Sequence, residues 1–203
     1  MRIGYGFDSH AFKRGVPLRI GGLSIEHHSG LAGHSDGDVL LHAITDALLG
    51  AVSAGDIGTF FPPNDPRWKN ADSSIFLKTA LEEIATAGYR IGNIDTVLVL
   101  AAPKIVPIAG DIRARVAELL GLKPGDVGIK AKTPEGLNQD NVAVAYATVL
   151  LEPLKEPEST VKAVAAADLE SEMDEVVKSL VNNVHDTSAL GKKSTPFDTD
   201  DLT

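Results

Sequence analysis

The chain has 203 residues, 43% of them hydrophobic, with no cysteine and a formal net charge of −9. That length supports one ordinary domain with a real core, while the absence of cysteine excludes a disulfide framework and thiolate metal ligands, and no apolar run is long enough to span a bilayer. Residues 1–152 carry 14 basic and 17 acidic side chains and residues 153–203 carry 5 and 11, so neither part offers the basic surface of a nucleic-acid-binding protein.

The opening Met1-Arg2-Ile3-Gly4-Tyr5-Gly6 lacks the apolar core of a signal peptide. A cytoplasmic chain is expected, or a plastid-type organelle if a transit peptide was removed. Residues 2–7 read as a short strand, and residues 17–25 as another, broken at Gly21-Gly22. Apolar residues at Val39, Leu41, Ile44, Ala47, Leu48 and Ala51 keep a helical period over 38–52, with Asp38 as N-cap. Residues 55–70 read as a loop rich in Gly, Pro, Asn and Asp. A second helix is predicted over 73–87, stopped by Gly88, then a strand over 94–100 and a third helix over 105–120, opened by Pro107 and closed by Gly121. Strands follow at 127–131 and 142–151.

The order ββααβαββ predicts an α/β fold: one mixed β-sheet with helices packed on one face. Val142, Val144, Tyr146, Thr148 and Leu150 alternate with Ala143, Ala145 and Ala147, so both faces of that strand are apolar and a subunit partner is the expected cover. Glu152 to Pro157 reads as a linker. It divides a domain over 1–152 from an acidic C-terminal extension over 153–203, with helical spacing over 159–182 and a polar, disordered end from His185.

An isolated histidine is more often a hydrogen-bonded structural residue than a ligand. Here Asp8 and His10 stand two apart on a strand and so share a side, and His42 sits early in the first helix. Two histidines and a carboxylate suit a divalent metal with an open coordination position, zinc first. Asp38 and Asp46, at i−4 and i+4, are candidates to orient the His42 ring. Gly33-His34-Ser35-Asp36-Gly37-Asp38 runs into a helix N-terminus, where free N–H groups favour an anion, though an ordinary capped turn fits as well. Ala101-Ala102-Pro103-Lys104 fits a base pocket or a plain strand–helix connector. Lys130 to Glu135 suits phosphate with Mg²⁺, or a polar turn.

Taken together, MRIGYGFDSHAF, LAGHSDGDVLLHAITDALLGA, GDIGTFFPPNDP, KNADS, GYRIGNIDTVLVLAAPK and IKAKTPE, in this order, closely resemble the 2-C-methyl-D-erythritol 2,4-cyclodiphosphate synthase family of the non-mevalonate isoprenoid pathway, over residues 1 to about 152. The resemblance implies Zn²⁺ on Asp8, His10 and His42, and Mg²⁺ or Mn²⁺ on Glu135, bridging substrate phosphates. It implies His34 and Ser35 on the phosphates, with His34 stabilising the transition state and Thr133 assisting at the diphosphate. Asp56, Ile57, Gly58, Phe61, Pro62, Pro63, Asn64 and Asp65 are implied around the sugar-like chain and ribose. Leu100, Ala101, Ala102, Pro103, Lys104, Ile105 and Val106 are implied in a cytidine pocket, and the substrate contacts also take in Ser9, Lys132 and Pro134. The implied assembly is a homotrimer, its sheets meeting around the three-fold axis and its active sites between subunits. The implied reaction converts 4-diphosphocytidyl-2-C-methyl-D-erythritol 2-phosphate to the cyclic 2,4-diphosphate with release of CMP.

Two features depart from the family pattern. Within the domain, Gly136 to Asn141 replaces a Gly-Phe-Thr-Gly-Arg-like stretch, leaving no Phe at 139 and no nearby Arg for an axial isoprenoid-diphosphate cavity, and Pro63 stands where an acidic residue is frequent; the 153–203 extension is the second departure. The competing readings are a metal phosphohydrolase on a nucleotide diphosphate and a trimeric metal-dependent nucleotide-binding protein without turnover.

Overall fold

A computed structural model describes residues 1–136 and 140–154, together with Glu175 and Lys178, both helical. The expected helix over 159–182 lies outside the described residues except at those two positions, and the expected disordered end lies wholly outside them. Contacts within the chain group Met1–Leu154 and Lys155–Thr203 as separate units.

The first unit holds seven strands and four α-helices. They are β1 (Arg2–Arg14), β2 (Leu18–Ile20), β3 (Leu23–Ile25), β4 (Ser29–Leu31), α1 (Val39–Ala51), α2 (Ile57–Phe60), α3 (Ser74–Thr86), β5 (Tyr89–Val99), α4 (Ala109–Leu120), β6 (Val127–Lys132) and β7 (Val142–Pro153). Five strands make one mixed sheet in the order β4-β1-β7-β5-β6, with only β5 and β6 parallel. β2 and β3 form a separate hairpin. The predicted break at Gly21-Gly22 is therefore a reversal of the chain, with both glycines at positive φ.

Several boundaries differ from the sequence reading. β1 runs to Arg14 rather than residue 7, because Asp8 to Ala11 pair with β7 and Phe12 to Arg14 with β4. The expected loop over 55–70 contains α2 and a 3₁₀ turn at Pro66–Trp68. The third helix opens as a 3₁₀ turn at Val106–Ile108 and becomes α-helical at Ala109.

The helices α1, α3 and α4 cover one sheet face and bury Ile94, Leu98, Val127, Ala143, Ala145, Ala147 and Val149. β1 explains how α1 comes so close. A Cβ added at Gly4 would strike the carbonyl oxygen of Ala47, and one at Gly6 that of Ala43. The strand lacks side chains where the helix crosses it, and the next two positions on that face are Asp8 and His10. The opposite face leaves Ile3 73%, Tyr5 63% and Phe7 48% exposed. Tyr146 of β7 packs there, its ring 5.3 Å from that of Phe7.

Candidate active site

Asp8, His10 and His42 converge where β1 passes under the first turns of α1. His42 Nδ1 lies 2.9 Å from Asp8 Oδ2 and 3.1 Å from His10 Nε2, and His10 Nε2 lies 3.0 Å from Asp8 Oδ2. One ligand atom from each falls within 4.8 Å of the others, the spacing one cation needs to be bound by all three. Burial alone would raise the Asp8 carboxyl, but its hydrogen bonds and charge interactions with His10 and His42 outweigh it and hold the group well below the usual carboxylate range. Burial works against the charged form of His42, yet Asp8, then Asp38 and Asp36, raise it above the usual imidazole value. Such a strongly negative locus favours a cation.

The expected orienters of His42 are different residues. Asp38 is fully buried and caps α1, accepting from Leu41 N at 3.0 Å, Gly21 N at 2.9 Å and Gly22 N at 2.6 Å. Its carboxylate is consumed in holding the hairpin turn to the helix. Asp46 reaches forward to Ile57 N, at 2.8 Å. The His42 Nε2 edge instead meets Ser35 Oγ at 3.0 Å and Ser73 Oγ at 2.9 Å. The Ser73 hydroxyl and backbone N–H both donate to Asp36. Ser73 lies 31 residues from His42 and carries no spacing signal; the KNADS run in which it falls was the only hint.

A cavity of about 300 Å³ opens over the three candidate ligands, lined also by His34, Ser35, Ile57, Gly58, Phe61 and Pro63. Trp68 and Phe76 complete its apolar wall, with the Phe61 ring 4.4 Å from Phe76 and 4.9 Å from Trp68. Sequence reasoning missed both. Asp56 caps α2 through Thr59. Pro62, Asn64 and Asp65 lie on the following turn outside the cavity lining, where the Asp65 carbonyl accepts from His34 Nε2 at 3.2 Å and the Asp65 carboxylate pairs with Arg67. Ser9 points to the exposed side of β1, away from Asp8 and His10.

The second group of expected residues gathers elsewhere. Leu100, Ala101, Pro103, Lys104, Ile105 and Val106 face Lys132, Thr133 and Glu135 across a cavity of about 280 Å³. Ala131 joins this lining, whereas Ala102 and Pro134 do not. The Thr133 hydroxyl donates to Glu135. The two cavities share no lining residue, so within one chain they are separate.

A mixed α/β domain with an Asp–His–His cluster beside an apolar cleft defines a class of small-molecule enzyme with a candidate metal centre. The chain belongs to the YgbB family, whose model matches residues 1–152. It is 66% identical over 152 residues to the 2-C-methyl-D-erythritol 2,4-cyclodiphosphate synthase of Koribacter versatilis, covering 75% of this chain and 98% of that one. It is 49% identical over 152 residues to the chloroplastic enzyme of the same name from Oryza sativa, covering 74% and 68%. A solved structure of 2C-methyl-D-erythritol-2,4-cyclodiphosphate synthase in its CDP-bound form matches with a TM-score of 0.71 and 41% identity, covering 74% of this chain and all of the other. Among the described residues no helix is long and apolar enough to cross a membrane.

Proposed function

We propose that this protein is a 2-C-methyl-D-erythritol 2,4-cyclodiphosphate synthase, converting 4-diphosphocytidyl-2-C-methyl-D-erythritol 2-phosphate to the cyclic 2,4-diphosphate and CMP. The observation that carries the reading is the Asp8, His10 and His42 cluster in a chain so close to named synthases. Asp8, His10 and His42 would hold Zn²⁺, and Glu135 a Mg²⁺ or Mn²⁺. These ions neutralise crowded phosphate charge and polarise phosphorus when bound.

The protein's own residues then act by placement. The cleft under Phe61, Trp68 and Phe76 takes the methylerythritol end, with Gly58 leaving backbone within reach. His34 and Ser35 meet the phosphates, His34 stabilising charge as it builds. Leu100 to Val106 seat the cytidine, and Thr133 orients the diphosphate. An oxygen of the 2-phosphate attacks the β-phosphorus; the bond from that phosphorus to the bridging oxygen breaks, and CMP departs with that oxygen. No protein nucleophile is required. The two half-sites become one by association of subunits in a homotrimer through the apolar β1–β7 face, the metal half of one chain meeting the nucleotide half of its neighbour. The domain over 1–152 carries all of this chemistry.

Incubating the purified full-length chain with substrate and divalent cations should yield cyclic diphosphate and CMP, identified by ³¹P NMR and mass spectrometry. An open-chain product would instead establish a phosphohydrolase, and metal-dependent nucleotide binding without CMP release a non-catalytic protein.

A further inference from the structure

A further cavity of about 500 Å³ is lined by Gly33, Ser35 and Asp36 of the loop that also borders the Asp8, His10 and His42 cluster. Three cationic side chains reach it from three elements: Lys13 on β1, Arg19 on β2 and Lys69 at the end of the 3₁₀ turn. Its one acidic residue, Asp36, is already engaged by the hydroxyl and N–H of Ser73, with Arg19 4.0 Å away. Arg19 is also shared with Asp72, at 3.4 Å. Among the described residues Lys13 and Lys69 make no ion pair. In a chain of net charge −9, two uncompensated cations facing one concavity form a local anion trap.

The wall of this cavity is tied to the active-site loop. Asn70 N donates to His34 O at 2.9 Å and Asp36 N to Ala71 O at 3.0 Å, clasping residues 34–36 to 70–71. Ser35 lines both cavities, with its hydroxyl 3.0 Å from His42 Nε2 on the metal side.

We propose that the Lys13–Lys69 cavity is a second anion site, which binds inorganic phosphate or a phosphate monoester apart from the substrate's own phosphates. The two lysines supply the donors, and an occupant pulls on the segment that carries His34 and Ser35. The site goes beyond the synthase reading and does not depend on it.

The test titrates inorganic phosphate into the full-length protein saturated with CDP, using calorimetry, and compares wild type with Lys13→Gln, Lys69→Gln and the combined variant. Wild type should bind one phosphate per chain, and the combined variant should bind about tenfold more weakly or worse. The KM and kcat of the same variants should stay within about twofold of wild type in phosphate-free buffer. A parallel titration with glycerol phosphate separates the two sources: tighter binding assigns a monoester, weaker binding the free ion. No phosphate binding by wild type, or equal binding by the combined variant, overturns the site. A KM that rises in step with lost phosphate binding also overturns it, since the lysines would then serve the substrate. The calorimetry requires no turnover, so it can fail while the synthase reading stands, and the reverse.

Discussion

Ser73 Oγ stands 2.9 Å from His42 Nε2, on the ring edge opposite the nitrogen that faces Asp8. Because the same hydroxyl donates to Asp36, the imidazole is held from behind by a serine that is itself held by a carboxylate. Outer partners of this kind commonly fix the orientation of a ligating ring.

Replacing Ser73 by Ala should therefore loosen the ring without removing it. Zn²⁺ affinity measured by competition with a chelator should fall by about ten- to a hundredfold. His42→Ala should lose most of its metal outright while keeping the far-UV spectrum of the wild type. Unchanged Zn²⁺ affinity in Ser73→Ala would show that Ser35 alone suffices as the outer partner.

Gly6 tests whether close helix–strand approach sets the site. A Cβ there meets the Ala43 carbonyl, which is backbone and has nowhere to go. Gly6→Ala should lower stability by about 1–3 kcal/mol, read from urea midpoints, and weaken metal binding because α1 must lift away from Asp8 and His10. A variant as stable as wild type would mean that the helix shifts at no cost.

Asp72 gives a pH signature. Its hydrogen bonds to Ser74 and the charges of Arg19 and Arg115 hold it below the usual carboxylate range. A lowered folded-state value means that the stabilisation is present above the unfolded value, about pH 4, and disappears as pH falls through the folded value. The stability difference between wild type and Asp72→Asn should thus be fullest at neutral pH and shrink below about pH 4. Denaturation midpoints at pH 7, 4 and 3 check it; a difference that grows in acid has the wrong sign.

The shared-site reading makes a counting prediction. His42→Ala and Glu135→Ala proteins should each be nearly inactive. Unfolded together and refolded as an equal mixture, they should recover roughly a quarter of the sites, those pairing an intact metal half with an intact nucleotide half. Zero recovery in assemblies proven by mass spectrometry to be mixed would rule out sites built by two subunits.

Much of the Asp8, His10 and His42 geometry was legible in the sequence, because Asp8 and His10 obey strand alternation and His42 falls on a strongly periodic helix. The extension of β1 to Arg14 was not, since Asp, Ser and His are poor strand formers and only pairing with β4 and β7 holds them extended. β4 is three residues with no pattern to read, and its Gly30 is required by the backbone of Pro17 close against it. α2 is a single turn, too short to show a period. Ser73, Trp68 and Phe76 join the site only through the return of the chain at α3, a tertiary fact whose one local trace is the KNADS run that ends at Ser73.

Strand β1 has one further consequence, for insertions and deletions. Gly4, Gly6, Asp8 and His10 face α1, while Ile3, Tyr5 and Phe7 face outward between them. Removing one residue before Asp8, with the pairing to β7 otherwise kept, would turn the carboxylate and the imidazole outward and press aromatic rings against the Ala43 and Ala47 carbonyls. Conservative substitutions on the outer face leave the inner series in place; a change of length by a single residue disrupts both at once.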